Sequence, residues 1–125
     1  MIGNTAGRKI QDRKYANDRI YTPEKVAKMM INMCEIEKDD KVLDPSRGGG
    51  VFYNNLPECN KEWCEIDEGI DFFDYNKEVD IVLGNPPYSL WTKWIRKTIE
   101  LNPKKICYIF HIGNLIPSRV HELEK

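Results

Sequence analysis

One feature constrains this chain more than any other: the apolar run at 79–83 stops on Gly84-Asn85-Pro86-Pro87. Two successive prolines remove two ladder donors and fix the backbone, so no central strand can continue through them. A buried strand must end there, and the loop leaving it is rigid. Three more short apolar runs read as strands, at 41–44, 62–66 and 106–112. A helix is predicted from Tyr21-Thr22-Pro23-Glu24, with Thr22 as N-cap and Pro23 at the first helical position. Val26, Met29, Met30 and Met33 give it an apolar face. A second helix is predicted over 90–101, with Trp91, Trp94, Ile95 and Ile99 on one side and Asn102-Pro103 as its stop. The segment 37–40 reads as a polar turn, and 51–56 has room for one or two helical turns. A loop at 113–117 and the start of a helix at 118–125 close the chain. Strands separated by helices and loops imply an α/β fold with an open parallel sheet.

A length of 125 residues suits one domain, and 41% hydrophobic with 31% charged residues is a globular balance. The opening Met-Ile-Gly-Asn-Thr turns polar at once, and no run is long and apolar enough to span a bilayer. The expectation is a cytoplasmic protein with no membrane partner. Cys34, Cys59, Cys64 and Cys107 show no C-x2-C spacing, so reduced thiols are expected and no metal site.

The net charge of -1 hides an uneven distribution. Residues 1–20 carry five bases against two acids and lack apolar periodicity, which reads as a basic, partly ordered arm ahead of a domain at 21–125. Residues 58–80 carry nine acids against Lys61 and Lys77. Such a stretch repels phosphate. It is expected to line a pocket for a cation or for hydroxyls. Both runs also read simply as solvated faces.

Ligands of open α/β sheets bind beyond the carboxyl ends of the strands, and three strand ends here carry chemistry. The first is Asp44-Pro45-Ser46-Arg47-Gly48-Gly49-Gly50. Its glycines allow close backbone approach, and free amides in such a loop bind a carboxylate. No Gly-Lys-Ser/Thr follows, so it is not a phosphate loop. The second is Glu65, 17 residues after Gly48, where an acid accepts from ribose hydroxyls of a nucleoside cofactor. Asp71-Phe72 follows, an acid and an aromatic suited to reading and covering an adenine ring. The third is Asn85-Pro86-Pro87-Tyr88. Its rigidity presents the Asn85 side-chain oxygen and a backbone carbonyl together, two acceptors suited to one NH2 group, and Tyr88 offers a face for a planar base.

In this order the segments resemble the N6-adenine DNA methyltransferases, which have a Rossmann-like methyltransferase fold. The resemblance covers roughly residues 20–117. It implies that S-adenosyl-L-methionine is the cofactor. Tyr21, Thr22 and Pro23 would help hold its methionine part, and Asp44, Pro45, Gly48, Gly50 and Phe52 form its loop. Glu65 would take the ribose, Asp71 and Phe72 the adenine, and Asn85-Pro86-Pro87-Tyr88 would be the catalytic tetrapeptide. The implied partner is DNA, with the target adenine flipped out of the duplex. The tetrapeptide is shared by methyltransferases of glutamine side chains and of ribosomal RNA guanine, and the Tyr-Thr-Pro start tilts the reading toward DNA adenine. Those enzymes, and a domain that binds cofactor or DNA without turnover, are the alternatives.

Two departures from the family pattern stand out. Arg47 puts a large cation in the glycine loop, where it is expected to point to solvent or to reach DNA. The chain also carries fewer strands than the family's seven-stranded sheet. The apolar strand at 106–112 is therefore expected to have an open outer edge, through which the chain self-associates or a longer chain completes the sheet.

Overall fold

The computed structural model describes residues 22–109. The basic arm, Tyr21, residues 110–112 of the last expected strand, the loop at 113–117 and the helix at 118–125 lie outside the described residues. Helix α1 is Glu24–Cys34, followed by β1 (Lys41–Asp44), β2 (Asn60–Trp63), β3 (Ile81–Gly84), α2 (Trp91–Glu100) and β4 (Lys105–Tyr108). The four strands form one parallel sheet in the order β2-β1-β3-β4. This is the α/β arrangement of a Rossmann-like methyltransferase sheet. Single 3-10 turns fill much of the remainder, including Tyr53–Asn55 in the segment expected to hold one or two helical turns.

Side-chain alternation sorts the core into two layers. Val42, Ile81 and Leu83 face α1, where Ala27, Ile31, Cys34, Phe52 and Leu56 meet them. Leu43 and Val82 face the other way, onto Phe72, Trp94 and Leu101. The central strands are buried on both faces, β3 at every position, whereas β2 and β4 are half exposed. Strands covered on both sides read as continuous apolar runs, which is why β1 and β3 stand out in the sequence.

Several boundaries and faces differ from expectation. The second strand is Asn60–Trp63, earlier than 62–66, because its pairing register is set by β1, with Asp44 opposite Trp63. Ile66 instead starts a 3-10 turn. The cap of α1 is Pro23 rather than Thr22: the Pro23 carbonyl accepts from Val26 and Ala27, while the Thr22 hydroxyl is engaged elsewhere. The buried face of α1 is Ala27, Ile31 and Cys34 with Met30 packed beside it; Met29 and Met33 are 58% and 68% exposed. The small Ala27 lets the helix approach the sheet, so that row wins over the longer methionines. On α2 the buried row is Trp91, Trp94 and Thr98, and Ile99 faces outward. Thr98 is satisfied there because its hydroxyl reaches the Trp94 carbonyl at 2.7 Å and the Tyr108 hydroxyl at 2.8 Å. Strand β4 begins at Lys105 and is an edge strand among the described residues, with Ile106 exposed.

Candidate active site at the carboxyl ends of the strands

A parallel sheet brings the ends of β1, β2 and β3 to one edge, and the chain order reverses between β1 and β3. This is the crevice where such sheets take ligands. Asp44 ends β1 there, Glu65 lies just beyond β2, and Asn85 follows β3.

Asp44 is fully buried. Its Oδ1 accepts from the Ser46 amide at 3.3 Å, and its Oδ2 is buried without a hydrogen-bond partner. Burial pushes its carboxyl pKa from 3.8 up to about 7, and Glu65 adds to the rise. The Ser46 and Tyr53 amides and Arg47 oppose it. Gly84 is the residue that makes room for this group. It sits at φ 146°, and a Cβ there would come within 3.0 Å of Asp44 Oδ1. Sequence reasoning passed over Gly84, whose signal was only its place between an apolar run and Asn85.

The glycine loop is not an open cradle of amides. The Ser46 amide is held by Asp44, that of Arg47 by the Cys64 carbonyl, and that of Gly50 by the Arg47 carbonyl. The Gly48 amide donates to Glu65 Oε1 at 2.7 Å. The expectation that free loop amides bind a carboxylate is corrected for these four positions, because the loop closes on itself and on β2. The glycines are nonetheless required. Gly48 and Gly50 have φ of 55° and 93°, and a Cβ on Gly50 would fall 2.6 Å from Asn54 Nδ2.

Arg47 does not extend freely into solvent. Its guanidinium pairs with Glu68 and lies 4.0 Å above the Trp63 ring centroid, tying the loop to the end of β2. Glu65 is 5% exposed, and its second oxygen accepts from the Asp67 amide. These bonds fix the orientation of the Glu65 carboxylate.

Part of the acidic stretch does line a hollow, with Glu62, Asp71 and Asp74 bordering one of about 650 Å³ along β2, while several of its carboxylates are engaged locally. Asp71 accepts from the Phe73 amide, Asp80 from the Lys41 amide, and Glu62 from Tyr75 and Lys77. Only Glu65 and Asp71 stand at the site edge. Asp71 and Phe72 do line a cavity of about 210 Å³, together with Pro45, Ile66, Phe73, Leu90 and Trp94. Phe72 is 2% exposed and packs on Trp94 with ring centroids 4.6 Å apart, so it serves the core as well as the cavity wall. Ile66, Leu90 and Trp94 were not expected as site residues; the fold recruits them from two separate segments, the turn after β2 and the start of α2. Larger hollows of about 720 and 650 Å³ lie along β2 and hold none of the three strand-end groups.

The tetrapeptide leaves β3 with Pro86 and Pro87 buried and Tyr88 half buried in a 3-10 turn. Burial raises the Tyr88 pKa, so its hydroxyl stays protonated. Two hydroxyls hold Asn85. Ser46 Oγ donates to the Asn85 main-chain carbonyl at 2.9 Å, and Asn85 Nδ2 donates to Thr22 Oγ1 at 3.2 Å. The structure thus gathers Thr22, Asp44, Pro45, Gly48, Gly50, Glu65 and Asn85 around one crevice. Pro23 is exposed at the head of α1, and Tyr21 is outside the described residues. Among the described residues no group of His, Cys, Asp and Glu could hold a metal ion, and no helix is long and apolar enough to cross a membrane.

No protein-family model matches the chain. Among curated proteins it is 32% identical over 110 residues to the Type II methyltransferase M.HincII of Haemophilus influenzae, covering 77% of this chain and 21% of that one. The figures for Type II methyltransferase M.HindII of the same species are 32%, 77% and 20%. The Type I restriction enzyme MjaVII methylase subunit of Methanocaldococcus jannaschii is 42% identical over 40 residues, 32% of this chain and 7% of that one. The chain therefore spans about a fifth of the length of the Type II relatives. With these relatives, this parallel sheet and this arrangement of strand ends, the chain belongs with the DNA methyltransferases.

Proposed function

We propose that this protein acts in transfer of a methyl group from S-adenosyl-L-methionine to the N6 amine of adenine in DNA, within a restriction-modification context like that in its relatives' names. The observation that carries the reading is the 2.9 Å tie between Ser46 and the Asn85 carbonyl. It puts the tetrapeptide and the Asp44 loop at one crevice, where a cofactor and a base can meet.

The residues fit the cofactor. It carries positive charge, and Asp44 offers a buried carboxylate oxygen with no protein partner. Glu65 stands 17 residues beyond Gly48, at the end of the second strand where an acid would meet the ribose hydroxyls. The cavity beside Asp71 and Phe72 is walled by apolar side chains suited to an adenine ring. Thr22 and Pro23 are the described residues that the resemblance, together with Tyr21, assigns to the methionine part. When bound, the cofactor supplies an electrophilic methyl on a sulfonium.

The chain's own residues do the rest. The adenine amine is a poor nucleophile because its lone pair is delocalised into the ring. Asn85 Oδ1 and the Pro86 carbonyl would accept its two N–H bonds and favour a pyramidal nitrogen whose lone pair points at the methyl. The rigid prolines supply positioning, and the buried setting strengthens both hydrogen bonds. Tyr88, protonated and half buried, would stack on the flipped base. No strong general base is needed in this scheme.

The test is mass spectrometry of nucleosides in DNA from cells expressing the full-length natural protein. N6-methyladenine absent from control cells is the expected result. Modification confined to RNA or protein would overturn the substrate assignment, and cofactor binding without any methylated product would overturn the catalytic one.

A further inference from the structure

Thr22 was expected to cap α1 and to serve the cofactor, and Ser46 had no role. We propose that both are positioning residues for Asn85, a role that rests on the tetrapeptide reading above. Among the described residues, two separate segments hold Asn85. Ser46, two residues beyond Asp44 in the cofactor loop, fixes its main chain by donating to the carbonyl at 2.9 Å. Thr22, from the segment entering α1 and 63 residues away in sequence, fixes its side chain by accepting from Nδ2 at 3.2 Å.

The second bond carries chemical information. A carboxamide is planar and two-faced, with a donor on one branch and an acceptor on the other. A tetrapeptide that must receive N–H bonds from an amine works only with the oxygen branch forward. Thr22 is 8% exposed and accepts from the nitrogen branch, which anchors that branch and leaves the oxygen branch on the other side. The helix does not compete for the hydroxyl, because the Pro23 carbonyl rather than the Thr22 side chain begins α1. Ser46 adds coupling: its amide is on Asp44 and its hydroxyl on Asn85, so one residue joins the loop read as the cofactor's to the strand end read as the base's.

Three variants of the full-length protein test this, Thr22→Val, Thr22→Ser and Ser46→Ala. Valine keeps threonine's shape and removes the acceptor. On unmethylated genomic DNA, kcat of Thr22→Val is expected to fall on the order of 10- to 100-fold, the scale of a misplaced reacting group. Thr22→Ser should restore most of kcat. Ser46→Ala should lower kcat as well. The second readout needs no turnover: in nitrogen-labelled protein alone, solvent exchange of the Asn85 side-chain NH2 should accelerate in Thr22→Val and return to the wild-type rate in Thr22→Ser. Unchanged exchange in the valine variant, or wild-type kcat with it, would overturn the proposal. If wild type methylates no adenine while the exchange result holds, the functional reading falls and the orienting contact stands.

Discussion

Asp44 makes the stability of this fold depend on pH in an unusual direction. Most native carboxylates are stabilised as anions. Asp44 is instead fully buried, with one oxygen accepting from Ser46 and the other lacking a partner. Its pKa rises from 3.8 to about 7, chiefly through desolvation. That change corresponds to about 4 kcal/mol in favour of the neutral form. The sign follows from proton counting. Between about pH 4 and 7 the folded chain keeps a proton that the unfolded chain has released, so stability from this group is present below 4 and is lost as pH rises to 7. Glu62 and Asp80 work in the opposite sense: their pKa values are lowered by Tyr75 and Lys77, and by the Lys41 amide. Their contribution is lost only in the more acidic range.

The perturbation is Asp44→Asn. Asparagine keeps an acceptor for the Ser46 amide and cannot ionise. Its NH2 would be buried without an acceptor, a cost of about 1–3 kcal/mol that does not vary with pH. The telling quantity is therefore the pH dependence of the difference between variant and wild type. Urea unfolding at pH 5, 6, 7 and 8 should show the variant gaining on wild type by roughly 3 kcal/mol from pH 5 to 8, with most of the change below 7. A difference that stays constant over this range would show that Asp44 ionises normally and that its burial has been misjudged. A cationic ligand reverses the logic. In wild type, cofactor affinity should climb with pH up to about 7 and then level off, a dependence that calorimetry should find missing in Asp44→Asn.

Glu65→Ala should weaken cofactor binding by roughly 1–3 kcal/mol, the scale of charged hydrogen bonds, and unchanged affinity in calorimetry would remove Glu65 from the ribose role. Asn85→Ala should abolish methyl transfer while leaving cofactor affinity nearly intact; wild-type turnover would end its catalytic assignment. Glu35 closes α1 at φ 49°, ψ 55°, a left-handed conformation that suits glycine. Glu35→Gly should accordingly raise the unfolding free energy by about 0.5–1 kcal/mol, and a lower melting temperature would contradict this. Strand β4 presents an outer edge among the described residues with Ile106 exposed. Light scattering of the 125-residue chain should detect self-association that Ile106→Lys reduces, whereas a monodisperse wild-type monomer would refute an adhesive edge.

All four described strands were anticipated in the sequence, and the central pair most directly, because burial on both faces dictates their composition. Residues 41–44 match β1, and 79–83 overlap β3, because both strands are covered on each side. β2 alternates between exposed and half-buried positions and contains Asn60, Lys61 and Glu62. Its apolar signal at 62–66 lies late, because the register that sets its bounds comes from β1 beside it. Helix faces failed for a related reason. Periodicity finds an apolar stripe, but Met29 and Met33 on α1 and Ile99 on α2 compete with smaller or polar residues that fit closer to the sheet. The backbone-bound site residues were legible because glycine and proline leave chemical fingerprints. The contacts from Ser46 and Thr22 to Asn85 span 39 and 63 residues, and no local pattern encodes them.

The pairing of Asp44 with Gly84 shows how the fold concentrates its costs at one place. β1 and β3 are neighbours, so the residue ending one lies against the residue ending the other. A buried carboxyl at the end of β1 is destabilising once ionised, and it also needs room. Gly84 supplies that room, with a backbone at φ 146° that side chains rarely adopt. Neither choice benefits a strand end whose only task is to stop: an apolar residue at 44 and any small residue at 84 would be more stable. Both follow at once if the crevice must offer a negative charge to a cation, with Asn85 starting immediately beyond. The unfavourable pieces thus lie together where β1 and β3 open, while the apolar layers on either face of the same two strands supply the stability that tolerates them.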